Sequence, residues 1–497
     1  MKRLHKIVTF LCLIIANVGL CDEAVKVELP LIIVVPSYNN NKWYEKNLDS
    51  IFNQNYNNYH VIYIDDFSSD DTYSLVKEYI KKRGLEQKIS VIRNKKRSRA
   101  MANHYKAIHM CKDYHIIVQI DGDDWLKHND VFAKINEAYQ DKNVWLTYGQ
   151  FERCPALKGT LAKKITSGII KKHAYREHDW CSSHLRTFYA GLFKRIRLQD
   201  LLYHGEFFSS SCDMAMMFPM LEMAAGKIKF MDEVLYVYNC ANSLNLYKIE
   251  LQQQLHYQYL MRSKEKYAPM VNWAPYEEHK KVHKVGALLF SCGNAQNIAQ
   301  VIHSFNAHIK DMDDIYVFYN ALESVAHYQQ LKNEFPHVYF ALVDSINFKP
   351  VLEKVLADSS CNYVLLAHDS MVIRGSVDIK RCMQYMERTK AHAFDLTLGL
   401  DITKSGILNR PLQLPPLLDL ENDMYAWQYL DGEQEWRNPH NFQMTLYEKE
   451  DFITSCTNVC YECPKSLEHA LQYESLDYDA LGLCFATAKA YSLNNFR

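Results

Sequence analysis

The feature of this chain that most restricts its fold is an unbroken apolar run, Leu31 to Val35, closed by Pro36 and succeeded at short intervals by alternating amphipathic and apolar segments. A strand with no polar face must be covered on both sides, a condition met in parallel sheets flanked by helices. The spacing predicts a helix from about Trp43 to Asn53, with Leu48, Ile51 and Phe52 on one face, then a strand at His60 to Ile64 and a helix near Thr72 to Lys82. A strand at Ile89 to Ile92, a helix from about Ala100 to Cys111 and a strand at His115 to Ile120 continue the rhythm. Such alternation implies right-handed crossovers and a doubly wound α/β sheet.

The pattern starts again further on. Val285 to Phe290 reads as a strand followed by Ser291-Cys292-Gly293-Asn294, with further strands at Ile315 to Tyr319 and Tyr363 to Leu366, the last ending at His368-Asp369-Ser370. A chain of 497 residues exceeds one ordinary core, so two tandem doubly wound domains are expected. The boundaries are placed at 28–246 for the first, 247–284 for a glutamine-rich helical linker ending in a charged run, and 285–497 for the second.

Lysine and arginine total 57 against 58 acidic residues, with no long block of either sign, which argues against a nucleic-acid partner. The densest basic cluster, Lys95-Lys96-Arg97 with Arg99, reads as a solvated loop or a phosphate contact. Lys2, Arg3 and Lys6 followed by the apolar run Ile7 to Ile15 predict a signal peptide over 1–21 and a mature start near Asp22. A lipoprotein signal ending at Cys21 is the alternative, with Leu20 a poor fit to it. No later segment approaches the ~20 apolar residues of a spanning helix, so no transmembrane span is expected in the mature chain. Of 14 cysteines, Cys111, Cys292, Cys361 and Cys484 stand singly in apolar surroundings and read as buried thiols. Cys456, Cys460 and Cys463 leave two readings open, a disulfide between two of them or a zinc site completed by Cys484.

In open α/β sheets ligands sit beyond the carboxyl ends of the strands. Pro36 to Asn39, Asp65-Asp66 and Asp121-Gly122-Asp123-Asp124 would all converge on that edge. Acidic side chains two residues apart at a strand end suit a hard divalent cation that bridges the phosphates of a nucleotide diphosphate. Asp121 and Asp123 form such a pair. The plainer reading of the second loop is a capping turn, since Ser68, Ser69 and Asp70 precede a helix.

With these segments in place, residues 29 to 246 resemble the family-2 glycosyltransferases of GT-A fold. The matching stretches are Ile32 to Asn39, Ile64 to Thr72, Arg99 to Asn103 and Gln119 to Asp124, in that order. The resemblance implies that Pro36, Ser37, Tyr38, Asp65 or Asp66, and Asn103 hold the nucleotide sugar, that Asp121 approaches its ribose or sugar, and that Asp121 and Asp123 serve Mn²⁺ or Mg²⁺. Two positions depart from the family, Phe67 and Arg99, both usually glycine. The family's acceptor half implies a carboxylate base, and Ser211-Cys212-Asp213-Met214 makes Asp213 the candidate, with Cys212 where the family usually has glutamate. An ordinary helix N-terminal acid is the plainer reading of Asp213. Between the two halves of the site, Trp180 is a candidate sugar platform and His184 or Arg186 a phosphate or metal contact, against the plainer readings of core and satisfied polar groups.

In the second domain Asp369 offers one carboxylate where two are needed, so it is expected to be non-catalytic. Asp431-Gly432-Glu433 with Glu435 and Trp436 would either restore an acidic site or form a polar aromatic loop for glycan or protein. The expected activity is an inverting transfer of sugar from a nucleotide-diphosphate donor to an acceptor hydroxyl on glycan, lipid or protein. The alternative is an exported carbohydrate-binding or effector protein built on inactive transferase domains. Export sits awkwardly with donors made in the cytosol; the chain carries no Asn-x-Ser/Thr acceptor and no retention ending that would favour a eukaryotic lumen.

Overall fold

A computed structural model describes residues 27–155, 162–245, 249–277, 283–291, 293–320, 325–406, 408–473 and 479–493. The expected signal peptide, Cys292 and most of the charged run before Lys284 lie outside the described residues.

The first sheet is built from β1 (Leu31–Ser37), β2 (Tyr59–Asp65), β3 (Ile89–Arg93), β4 (Ile116–Gln119), β5 (Trp125–Leu126), β6 (Leu146–Cys154), β7 (Thr187–Tyr189) and β8 (Ile228–Asn239). Their order is β3-β2-β1-β4-β7-β6-β8-β5. The first four run parallel, β7 is antiparallel to its neighbours, β8 is parallel to β6, and β5 closes the edge antiparallel. The apolar run of β1 is buried on both sides because its alternate residues feed two cores. Leu31, Ile33 and Val35 pack with α1 (Tyr44–Phe52) and α2 (Thr72–Arg83) on one face. Ile32 and Val34 pack with α3 (Arg99–His109) and α4 (Cys212–Ala224) on the other. The expected helical stretch between the halves is α5 (Leu251–Ser263), whose Tyr257 and Met261 are buried. Downstream of it Trp273 meets Trp145 edge-on at 5.1 Å, so this stretch packs onto the first half.

The second sheet repeats the plan. It comprises β9 (Val285–Phe290), β10 (Asp314–Tyr319), β11 (Tyr339–Leu342), β12 (Tyr363–His368), β13 (Ala393–Asp395), β14 (Leu418–Asp419), β15 (Met424–Gln428), β16 (Thr445–Glu448) and β17 (Leu481–Phe485). The order β11-β10-β9-β12-β16-β13-β17-β15-β14 reproduces the first sheet's strand directions position by position, with one added edge strand. The repeated fold is therefore present in the backbone as well as in the apolar pattern.

The two halves share one apolar cluster, which runs from Tyr105 and Phe193 to Met383 and Tyr385. Around it Lys106 pairs with Glu421 at 2.6 Å and Lys264 with Asp479 at 2.7 Å. Gly205 donates its N–H to Gln428 at 3.0 Å. Its φ of 73° and the 2.9 Å that would separate an added Cβ from Pro416 both require glycine there.

The cysteine readings are corrected by this packing. Cys456 lies in one apolar cluster of the second half and Cys484 in another. Cys463 instead caps the helix Pro464–Leu471, accepting from the Ser466 N–H at 3.5 Å. Apolar burial places Cys456 and Cys484, while Cys460 and Cys463 are exposed, and all four are free thiols.

Candidate active site

A cleft of about 320 Å³ opens at the carboxyl edge of the first sheet, a volume within the range of small-molecule sites. Its acidic wall is the turn after β4. Asn47 on α1 fixes this turn by donating to the Asp121 carbonyl at 3.0 Å and the Asp124 carbonyl at 2.7 Å. Gly122 is pressed against Ser37 and Asn40, where a Cβ would come within 2.7 Å of both, so the residue between the two acids must be glycine. Asp124 turns inward and accepts from the Tyr236 hydroxyl and the Asn239 N–H, each at 2.7 Å. Asp121 and Asp123 face the cleft, and Asn242 orients Asp123 by donating to Oδ2 at 2.6 Å.

Burial raises the Asp121 carboxyl to about 6, with the Asp123 charge adding to it and Arg186 opposing it. Burial also raises Asp123, against the hydrogen bond from Asn242. Two acids raised by burial, one of them also by the other's charge, are stabilised in their charged forms by a shared cation. Among the described residues no group of three or more His, Cys, Asp or Glu side chains could hold a metal alone. The pair still suits Mg²⁺ or Mn²⁺, since such ions commonly take one or two carboxylates and complete their shell with water and substrate phosphates.

Beside this turn stand Pro36, Ser37 and Tyr38, with the Gly122 N–H donating to the Pro36 carbonyl at 3.1 Å. The Tyr63 hydroxyl donates to Ser37 Oγ at 2.7 Å, and the Arg97 guanidinium lies 3.9 Å from the centre of the Tyr38 ring. Asp66 also lines the cleft, yet both of its oxygens are taken by the next loop. Oδ1 accepts from Asn94 Nδ2 and the Ser98 N–H, and Oδ2 from the Arg99 N–H, all at 2.8 Å. The expectation for Asp65 is corrected: it is fully buried behind the wall, accepts from the Ser68 N–H at 3.3 Å and pairs with Arg93 at 3.4 Å. The turn reading holds as well, with Asp70 accepting from the Thr72 N–H at 3.0 Å. Phe67 and Arg99, the two departures from glycine, sit at φ 61° and 67°. Left-handed backbone at these positions explains why glycine is the easier choice there.

Arg97 and Arg99 line the cleft, so this part of the basic cluster is not simply a solvated loop. Arg99 reaches Glu250, ahead of α5, through two bonds of 3.1 and 3.0 Å.

The acceptor side is carried by α4. Asp213 occupies its first turn and accepts from Arg186 Nη2 at 3.0 Å, so the helix-acid reading and the cleft position are both realised. Arg186 is itself buried and donates to the Ser182 carbonyl at 3.2 Å. His184 also faces the cleft, stacked on Tyr236 at 4.7 Å and 5°, and burial followed by the Arg186 charge holds its imidazole neutral. Trp180 is a correction: it packs edge-on against Phe218 at 5.3 Å and lines a separate small cavity, because the apolar face of α4 claims its ring.

Asn103 lines the floor, as the sequence led us to expect, but Asn40, His104, Gln119, Asn242 and Gln254 were not foreseen. Gln119 was legible as the one polar residue in an apolar strand. Asn242 was legible as part of an asparagine-rich stretch leaving a strand that ends on the same edge.

The second sheet's edge is built differently. Phe290 stacks on Phe442 at 5.3 Å and meets Phe348 at 6.1 Å, covering the strand ends. His368 pairs with Glu468 at 3.2 Å, and Asp369 accepts from Ser291 Oγ at 3.2 Å. Trp436 is fully buried and its carbonyl accepts from Trp427 Nε1 at 2.8 Å, which rules out a ring presented to glycan. Glu435 accepts from Ser405 Oγ at 2.7 Å, and Asp431 lies 3.9 Å from His204 of the first half.

Residues 32–218 match the family described as Glycosyl transferase family 2. Those residues carry a family-2 glycosyltransferase domain. A relative, chondroitin synthase from Escherichia coli, is 23% identical over 262 residues, a stretch that covers 50% of this chain and 36% of the relative. The chain thus spans little more than a third of that protein. Solved structures similar in part include S. aureus TarS residues 1–349 in complex with UDP-GlcNAc, at 17% identity and TM-score 0.35, covering 43% of this chain and 60% of that one. Mannosyltransferase PcManGT from Pyrobaculum calidifontis, in complex with GDP-Man and Mn²⁺, is 17% identical at TM-score 0.36, covering 49% of this chain and 66% of that one. Among the described residues no helix is long and apolar enough to cross a membrane.

Proposed function

We propose that the chain is an inverting, metal-dependent glycosyltransferase whose first domain moves a sugar from a nucleotide diphosphate to an acceptor hydroxyl, with a glycan favoured as acceptor by the likeness to chondroitin synthase. The observation that carries the proposal is the convergence of Asp121, Asp123 and Asp213 on one cleft beside the Pro36 to Tyr38 wall. In this reading Asp121 and Asp123 would hold Mn²⁺ or Mg²⁺, which when bound offsets the charge that develops on the departing nucleoside diphosphate. Asn242 sets the Asp123 carboxylate, and Arg97 at the rim supplies a positive charge toward the phosphates.

Asp213 takes the proton from the attacking hydroxyl. Its Oδ2 is fixed by Arg186, which leaves Oδ1 for the acceptor. Arg186 thereby orients the base, and the neutral His184 beside it can donate or accept without adding charge. The second domain, with its edge sealed, supports the first through the shared apolar cluster. Export through the N-terminal apolar segment belongs to the same proposal and predicts a mature N-terminus near Asp22 by mass spectrometry.

The decisive experiment is turnover of a nucleotide-sugar panel with and without Mn²⁺ or Mg²⁺. Asp213→Asn should lower kcat by roughly 10²–10⁴-fold while nucleotide binding persists. Metal-independent turnover, or an Asp213→Asn enzyme as fast as the parent, refutes the mechanism.

A further inference from the structure

The floor of the cleft holds buried polar atoms that the mechanism does not use. Asn103 is 1% exposed, and its Oδ1 accepts from Asn94 at 2.7 Å while its Nδ2 has no partner. Gln119 is 5% exposed and touches Met216 Sδ at 3.5 Å through Nε2, while its Oε1 has no partner. His104 is 4% exposed and its Nδ1 is likewise unmatched. Leaving a buried donor or acceptor unpaired costs about 1–3 kcal/mol, so three in one cleft mark a place where a ligand supplies the missing bonds. Gln119 is adjacent to Arg186, since its N–H donates to the Arg186 carbonyl at 3.2 Å, and Arg186 is the charge that acts on His104. The group thus lines the same cleft as the acids and the candidate base, with Gln119 and His104 close to the arginine that holds that base.

The charges nearby decide what kind of sugar fits. Of the three arginines lining the cleft, Arg186 is paired with Asp213 and Arg99 with Glu250, while Arg97 rests on Tyr38 at the nucleoside wall. Burial, reinforced by Arg186, lowers the His104 imidazole to about 3, so it carries no charge at neutral pH. The floor therefore offers one amide donor, one amide acceptor and a neutral imidazole, while Arg186 and Arg99 are engaged by carboxylates and Arg97 stands away from it on Tyr38. A sugar carboxylate set on that floor would find no cationic side chain among Asn103, His104 and Gln119 to balance it.

Resting on the reading of this cleft as a donor site, we infer that Asn103, His104 and Gln119 form a sugar-recognition floor that selects an uncharged hexose or N-acetylhexosamine and rejects a uronic acid. A hydroxyl or acetamido group both donates and accepts, which matches the set; a carboxylate only accepts.

The test is equilibrium binding with Mn²⁺ present, using UDP and GDP alone and their glucose, mannose, N-acetylglucosamine and glucuronate derivatives. At least one neutral sugar should bind about tenfold or more tightly than the bare nucleotide, and the glucuronate derivative no better than the nucleotide. Gln119→Leu should reduce the neutral-sugar advantage about tenfold relative to UDP or GDP, and Asn103→Ala, read in the same way, guards against a folding defect in the first variant. Failure of every nucleotide to bind overturns the donor-site reading and this inference with it. Nucleotide binding with a preference for glucuronate, or a sugar preference unchanged in both variants, overturns the inference alone.

Discussion

At the carboxyl edge of the first sheet, Asp121 and Asp123 face a cleft and several buried polar atoms await partners; at the matching edge of the second, aromatic rings and closed ion pairs fill the space. Both edges descend from the same strand order and the same directions. The difference lies in the loops that leave the strands. After β4 come two cleft-facing acids separated by a glycine, whereas β12 ends at His368 and is followed by Asp369, each engaged by neighbours. A satisfied edge stabilises the fold and an unsatisfied one binds, and the backbone alone does not distinguish them.

The contrast between the edges breaks most sharply on paired substitutions of the acids. Asp123→Ala should cut sugar transfer on the order of a thousandfold, while Asp369→Ala leaves it within about twofold. Steady-state kinetics of the two variants decides this, and the opposite ranking would move the chemistry to the second sheet.

The next largest effect concerns stability under the cleft. Arg176 and Glu222 are paired at 2.6 Å with side chains 4% and 0% exposed, and Arg176 also donates to the Met261 carbonyl, tying α5 to α4. Glu222→Ala strands a buried guanidinium and should cost about 3–5 kcal/mol in denaturant unfolding. A loss under about 1 kcal/mol would show that α5 is not anchored there.

The second edge has its own signature in pH. Burial pushes the Glu468 carboxyl up, but hydrogen bonds from His368 and the Phe442 N–H outweigh it and hold the group below its ordinary 4.5. A lowered acid contributes stability above its unfolded value and loses that contribution as pH falls through its folded one. The stability gap between the parent and Glu468→Gln should therefore be full at pH 7 and shrink below about pH 4.5, as thermal melts across that range will show. A gap constant down to about pH 3 would contradict the pairing.

The smallest effect belongs to the strained turn of the first edge. Phe67 is 51% exposed at φ 61°, so Phe67→Gly removes left-handed strain at little cost in packing. We expect a gain of up to about 1 kcal/mol in chemical unfolding, the strain relief being partly offset by glycine's entropy. Destabilisation would mean that the ring makes contacts worth more than the strain.

The sequence by itself determined the strand and helix rhythm, its repetition from Val285, and the acids at the edge, because periodicity and turn composition are local properties of the chain. Only the tertiary structure decided which polar residues share the cleft. Asp65 and Asp66 are neighbours in the chain, yet one is sealed behind the wall and the other occupied with the next loop. Trp180, a candidate sugar platform with core as its plainer reading, and Trp436, in a loop offered for glycan or protein, both pack against apolar surfaces that no local pattern reveals. Asn242, His104 and Gln119 come from three separate elements, and their meeting with Asp121 and Asp213 arises from crossover geometry and side-chain packing. Distance along the chain carries no record of that.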